Sequence, residues 1–217
     1  MTDQSKTALI TGASRGFGAA AAEELSTHGY HIIAVARTTG ALEELDDRLQ
    51  SKGGSATLVP MSITDELSIQ RLCLAIFERW GGLDLWVHAA IHAAPLSPAP
   101  HVDAKDWEKT CDTNISATAR MIPNIEPLLR ARTGTAVHIH DPQAGRKFFA
   151  AYGSSKAAQK AMFDSWAAEQ TAGSAKVASF TPNPMPTATR ARFFPGEDRS
   201  LLSDPRAEAK RLIEELL

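Results

Sequence analysis

The sequence predicts a single doubly wound α/β domain, a parallel sheet covered by helices on both faces. Three observations carry that reading. Short apolar runs of strand length alternate along the chain with longer amphipathic stretches of helical length. A glycine-rich turn joins the first apolar run to an alanine-rich helix. No linker, repeat or low-complexity tract interrupts residues 1–217. Strands separated by helical crossovers form right-handed βαβ units, which makes the strands parallel and buries both faces of the sheet.

The elements follow in order. "TALIT" (7–11) is the first strand, and "GASRGFGAAAAEELSTHG" is the turn and first helix. "HIIAVAR" (31–37) is a second buried strand. Leu42, Leu45 and Leu49 then recur on one helical stripe that ends at Gly53–Gly54. "SATLVPMSIT" carries a third strand, and "DELSIQRLCLAIFERWG" is a helix with Asp65 as N-cap. "LDLWVHAA" is a fourth strand, followed by a proline-rich loop. The run from Ala104 to Arg132 is one long helix, expected to bend near Pro123 or Pro127. "TAVHIH" is a fifth strand, Tyr152 to about Thr171 a helix, and "AKVASF" a sixth strand. Residues 185–205 read as a loop on the substrate side. Residues 206–217 read as a closing helix with Ala209, Ile213 and Leu217 on one stripe.

Composition narrows the function classes. A formal net charge of −2 gives no electrostatic reason to expect nucleic acid or an anionic membrane as partner. No apolar run approaches the roughly 18 residues of a membrane span, and the start has no basic-then-apolar signal pattern. Cys73 and Cys111 stand far apart in no ligand-like spacing, as reduced cysteines of a cytoplasmic protein would.

Gly12, Gly16 and Gly18, in "TGASRGFG", lie between the first strand and the first helix. A turn of this kind lets backbone N–H groups approach a pyrophosphate at a helix N-terminus, so Ser14, Phe17 and the glycines are expected to bind a dinucleotide. An acid at the end of the second strand would hold a ribose 2′-hydroxyl; here Arg37 stands there, and Arg15 lies within the turn. Two forked guanidiniums suit a 2′-phosphate, which favours NADP(H), with NAD(H) as the alternative.

Together these motifs resemble the short-chain dehydrogenase/reductase family over nearly the whole chain. "TGASRGFG" is similar to its TGxxxGxG turn and "YGSSK" to its YxxxK, with Tyr152 and Lys156. Asn114 matches its asparagine, and "TPNPMPT" resembles its PGPxxT segment. The resemblance implies a Rossmann fold with Tyr152, Lys156 and Asn114 as the catalytic set. It implies that Ser62, Ile63, Ala89 and Ala90 lie along the cofactor, with Pro182, Met185 and Thr187 at the nicotinamide. A phenol has an ordinary pKa of about 10, and Lys156 one helical turn on is expected to lower it. By the same resemblance Lys156 also holds the nicotinamide ribose, and Asn114 holds a relay water. A homodimer is implied, built on the Asn-bearing and Tyr-bearing helices, for which Trp107, Met121, Met162 and Trp166 offer apolar surface.

Several residues depart from the family pattern. Its serine at the end of strand five falls on Asp141 or Pro142, depending on the direction of counting, and the loop from Gly145 to Tyr152 looks about three residues short. An ionised Asp141 only accepts hydrogen bonds and would repel an alkoxide, whereas a protonated one could donate. His88 and Ala89 stand in place of two asparagines, and Ile91 in place of a glycine, where it could crowd the cofactor. Ser62 replaces an aspartate and Asn183 a glycine, and the family's final strand is missing, leaving strand six an edge. His88, His138, His140 and Asp141 could be read as zinc ligands, but polar residues at a cleft rim are the simpler reading, and no metal is expected. His140 could instead make the contact of the missing serine. Two functions follow: an NADP(H)-dependent oxidoreductase acting on a carbonyl or alcohol, or a dinucleotide-holding pseudoenzyme that senses cofactor or serves as a subunit partner.

Overall fold

A computed structural model describes residues 5–216 of the chain. Six parallel strands form one sheet in the order β3-β2-β1-β4-β5-β6. The strands are β1 Lys6–Thr11, β2 Tyr30–Ala36, β3 Ala56–Pro60, β4 Leu85–His88, β5 Thr135–Ile139 and β6 Lys176–Phe180. The sequence placed all six. β1 sits in the middle, and its residues after Lys6 are fully covered, which explains why it reads as a continuous apolar run rather than an alternating one.

The helices divide between the two faces. α1 Gly16–Thr27 and α2 Thr39–Gln50 bury Ala19–Ala22, Leu25, Leu42, Leu45 and Leu49 on one face, joined there by Ala209, Leu212 and Ile213 of α8 Pro205–Leu216. The small alanines of α1 let that helix lie close to the sheet. On the other face α3 Glu66–Trp80, α5 Ala117–Ala131 and α6 Ala150–Ala168 pack Ile69, Ile76, Ile125, Leu129 and Phe163 against Leu9, Ile33, Trp86 and Ala136. Asp65 caps α3, accepting from the N–H groups of Leu67 and Ser68 as its position predicts.

Three expectations need correction. The run from Ala104 is not one continuous helix: a π-helical stretch at Cys111–Ser116 divides α4 Ala104–Thr110 from α5, and α5 continues through Pro123 and Pro127. The wider turn leaves Asn114 at the middle of the break, buried. Residues 185–205 are not all loop, because Ala188–Phe193 form a short helix, α7, started by the Thr187 hydroxyl accepting from the Arg190 N–H. Met121 faces its own core at 1% exposure and Trp166 packs on Trp86 and Phe163, so only Trp107 of the expected dimer residues is strongly exposed. Leu217 of the closing stripe lies outside the described residues.

Strand order reverses between β1 and β4. Their connections leave in opposite directions there and open a crevice at the carboxyl ends of the strands.

Candidate active site

The crevice is a cleft of about 880 Å³, within the size range of ligand pockets. Gly12, Ser14, Arg15, Gly16, Phe17, Gly18, Arg37, Ser62, Ile63, Ala89, Ala90, Tyr152, Lys156, Pro182, Met185 and Thr187 all line it. The fold thus brings to one cleft residues as far apart in the sequence as Gly12 and Thr187.

Backbone proximity explains the glycines at one end. Gly12 has φ +78°, and a Cβ there would lie 2.8 Å from the Ala89 carbonyl and the Ala90 nitrogen. A Cβ on Gly18 would lie 2.3 Å from the Gly12 carbonyl oxygen. The turn therefore closes against the end of β4 and the start of α1 only without side chains. At the N-cap of α1, Arg15 makes no side-chain cap, so the first-turn N–H groups are left without that partner beside the cleft. Arg15 and Arg37 are exposed on the cleft wall and enter no ion pair among the described residues. Uncapped N–H groups and two unpaired guanidiniums fit the phosphates of a dinucleotide.

The other end holds Tyr152, which is 3% exposed. Its hydroxyl donates to Asp141 Oδ2 at 3.0 Å, so Asp141, not Pro142, occupies the place beside the phenol. Burial, reinforced by the Asp141 carboxylate, raises the phenol well above its ordinary 10. That is opposite to the depression expected from Lys156. The second carboxylate oxygen, Oδ1, accepts from Gln143 Nε2 at 2.6 Å, and Gln143 Oε1 accepts from Arg146 Nη1 at 2.8 Å. Aromatic rings enclose the phenol: Phe193 at 4.9 Å and Phe149 at 6.4 Å between centroids, with Ile91 packed alongside. Ile91 thus joins the wall around Tyr152. α7, read as loop in the sequence, supplies Phe193.

Lys156 points its ammonium into the protein. Nζ donates to the Ile139 carbonyl at 2.7 Å and to Gln159 Oε1 at 2.6 Å, and lies 3.1 Å from His138 Nε2. Three acceptors match the three N–H bonds of an ammonium. Burial lowers this lysine to about 7, against the opposing pull of Asp141. His138, lowered to about 2, and His88, lowered to about 3, are both buried beside this cation and stay neutral, burial being the larger cause in each. They are core residues rather than rim residues. His88 Nδ1 meets the Thr11 hydroxyl at 2.8 Å and Nε2 the Thr118 hydroxyl at 2.9 Å, so its nitrogens are engaged. Among the described residues no cluster of His, Cys, Asp and Glu is arranged to hold a metal.

Asn114 does not line the cleft. Its amide oxygen accepts from the His92 N–H at 2.7 Å, while Nδ2 donates to the His92 carbonyl and to Ser155 Oγ, each at 2.9 Å. It braces the chain after β4 against α6. His140 lines the cleft beside Asp141, but its side chain makes no hydrogen bond to the phenol. Gln143, Arg146 and Gln159 escaped the sequence reading. Only Gln159 had a signal, its place three residues beyond Lys156 on the same helix.

A parallel sheet with a glycine turn at its switch point and a Tyr–Lys helix on the same crevice is a Rossmann-type α/β protein. The model of the short chain dehydrogenase family matches residues 6–198, and the chain belongs to that family. It is 28% identical over 207 residues to an uncharacterized oxidoreductase of Staphylococcus epidermidis, covering 94% of this chain and 88% of that one. It is 32% identical to serine 3-dehydrogenase of Rhizobium radiobacter and 31% identical to fatty acyl-CoA reductase of Acinetobacter baylyi, over 70% of this chain in each case. This chain spans 61% and 53% of the length of those two relatives. Among solved structures, the short chain dehydrogenase of Shigella flexneri superposes with a TM-score of 0.88 at 26% identity, covering 93% of this chain and 81% of that one. A Shigella flexneri 2a protein solved in complex with NADP has a TM-score of 0.86 at 26% identity, covering 93% and 86%. No described helix is long and apolar enough to cross a membrane.

Proposed function

We propose that the chain is an NADP(H)-dependent oxidoreductase that interconverts a carbonyl and an alcohol, with Tyr152 as the proton donor or acceptor. The observation that carries this is the shared cleft: the glycine turn, Arg15 and Arg37, and the phenol of Tyr152 all line it. Membership of the family and the NADP complex of a structural neighbour support the cofactor class.

The nicotinamide nucleotide supplies or takes the hydride when bound. Gly12 to Gly18 would hold its phosphates, Arg15 and Arg37 a 2′-phosphate, Ser62 with Ile63 the adenine end, and Thr187 the nicotinamide end. Ala89, Ala90, Pro182 and Met185 would flank the rest. Phe193 and Phe149 pack around the buried Tyr152 ring and would limit water at the reacting oxygen. A homodimer through α4–α6, with Trp107 at its surface, belongs to the same proposal.

Thermal melts with NADPH and with NADH test it. A larger rise with NADPH is expected, and no shift with either would overturn the reading. A panel of carbonyls followed by NADPH absorbance tests turnover, since the pseudoenzyme alternative predicts the melt shift without consumption. Light scattering giving a monomer would refute the dimer.

A further inference from the structure

We propose that Asp141 takes the proton of Tyr152 as Tyr152 takes that of a substrate hydroxyl, so that the two together serve as the base when an alcohol is oxidised. The inference deepens the reading above and rests on it. Its basis is an unbroken hydrogen-bonded chain, Tyr152 Oη to Asp141 Oδ2, Asp141 Oδ1 to Gln143 Nε2, and Gln143 Oε1 to Arg146 Nη1.

Each link has a consequence. The phenol donates to a carboxylate, so its oxygen keeps lone pairs free toward the cleft and is ready to accept a proton. Gln143, 6% exposed, fixes the other carboxylate oxygen and therefore the direction in which Oδ2 points. The cation that could have made Tyr152 a phenolate base is committed elsewhere, to Ile139, Gln159 and His138. A phenol that cannot ionise by itself can still act as base if it passes its own proton on at the same moment.

The step balances. The substrate O–H bond breaks and an O–H bond forms at Tyr152 Oη. The former phenol proton moves to Asp141 Oδ2. The substrate carbon loses hydride, for which an oxidised nicotinamide nucleotide is the acceptor, and the C=O bond forms. Asp141 is partly buried at the cleft wall and returns its proton to cleft water.

The other charged or titratable groups facing the pair are Lys156 from α6, with His138 of β5 behind it, and His140 and Arg146 from the loop that follows β5. α7 contributes Phe193 to the ring, while its Arg190 is paired with Glu197. None of these accepts a hydrogen bond from the phenol.

The test uses the two tyrosines of the chain, Tyr30 and Tyr152. In a Tyr30→Phe background, tyrosinate absorbance follows Tyr152 alone, without cofactor. Asp141→Asn is expected to lower the Tyr152 midpoint by about one pH unit or more; an unmoved midpoint overturns the proposal. In alcohol oxidation, Asp141→Asn is expected to lower kcat about 100-fold, while the NADPH melt shift stays. Asp141→Ala, which supplies neither an acceptor nor the family's hydroxyl, repeats the measurement should the amide fail to fold. Either variant oxidising alcohol as fast as the wild type would sink the relay alone. A moved midpoint with no turnover of any alcohol or carbonyl would instead sink the oxidoreductase reading, and the relay with it.

Discussion

Glu208 is buried outside the cleft and holds one of its walls, and Glu208→Gln tests how. Its carboxylate accepts from the Asn183 N–H and Asn183 Nδ2, both at 2.9 Å, from Ser203 Oγ at 2.6 Å, and from Arg211 Nη2 at 2.6 Å. These bonds tie α8 to the 181–187 segment that lines the cleft. Burial alone would raise the acid, but the bonds from Ser203, Arg211 and Asn183 outweigh it and hold Glu208 at about 2 rather than 4.5. The gap corresponds to about 3 kcal/mol of stability at neutral pH. The sign follows from a depressed acid: the contribution is complete above about 4.5 and is lost as pH falls through about 2. Glutamine keeps the volume but turns an N–H₂ toward donors that have lost their acceptor. Urea unfolding should therefore show Glu208→Gln less stable than wild type by about 3 kcal/mol at pH 7, and by roughly half that at pH 3. A difference below about 0.5 kcal/mol, or one that does not shrink with acid, would refute the assignment. Because Asn183 neighbours Pro182 and Met185, the variant should also weaken the NADPH melt shift.

Other outcomes follow from the same geometry. Gly18→Ala puts a methyl 2.3 Å from the Gly12 carbonyl oxygen, so a loss of roughly 2–4 kcal/mol and of the cofactor shift is expected; calorimetric melting checks it. Arg15→Ala with Arg37→Ala should weaken NADPH about tenfold or more and leave NADH little changed, as titration calorimetry would show. Lys156 is held near 7 in the fold, so the unfolded chain binds more protons above that pH and stability rises with pH. Between pH 7 and pH 9 the wild type should gain in urea midpoint relative to Lys156→Met, and a parallel pH dependence of the two proteins would contradict the burial of this cation.

The sequence by itself determined the sheet, its parallel strands, the glycine turn and the Tyr–Lys helix. These rest on local rules: continuous apolar runs, helical stripes such as Leu42, Leu45 and Leu49, a capping Asp65, and a turn that must be bare of side chains. It did not determine where the polar groups of the site find their partners. Asp141 meets Tyr152 across eleven residues, Lys156 meets His138 across eighteen, and Asn114 meets Ser155 across forty-one. A four-residue spacing on a helix places a lysine near a tyrosine, but the ammonium turned to the three acceptors at Ile139, Gln159 and His138. Local patterns report which face of an element is buried. Which buried donor finds which acceptor is decided only when distant elements pack, because an ion in a low-dielectric interior takes the site that satisfies its hydrogen bonds most completely.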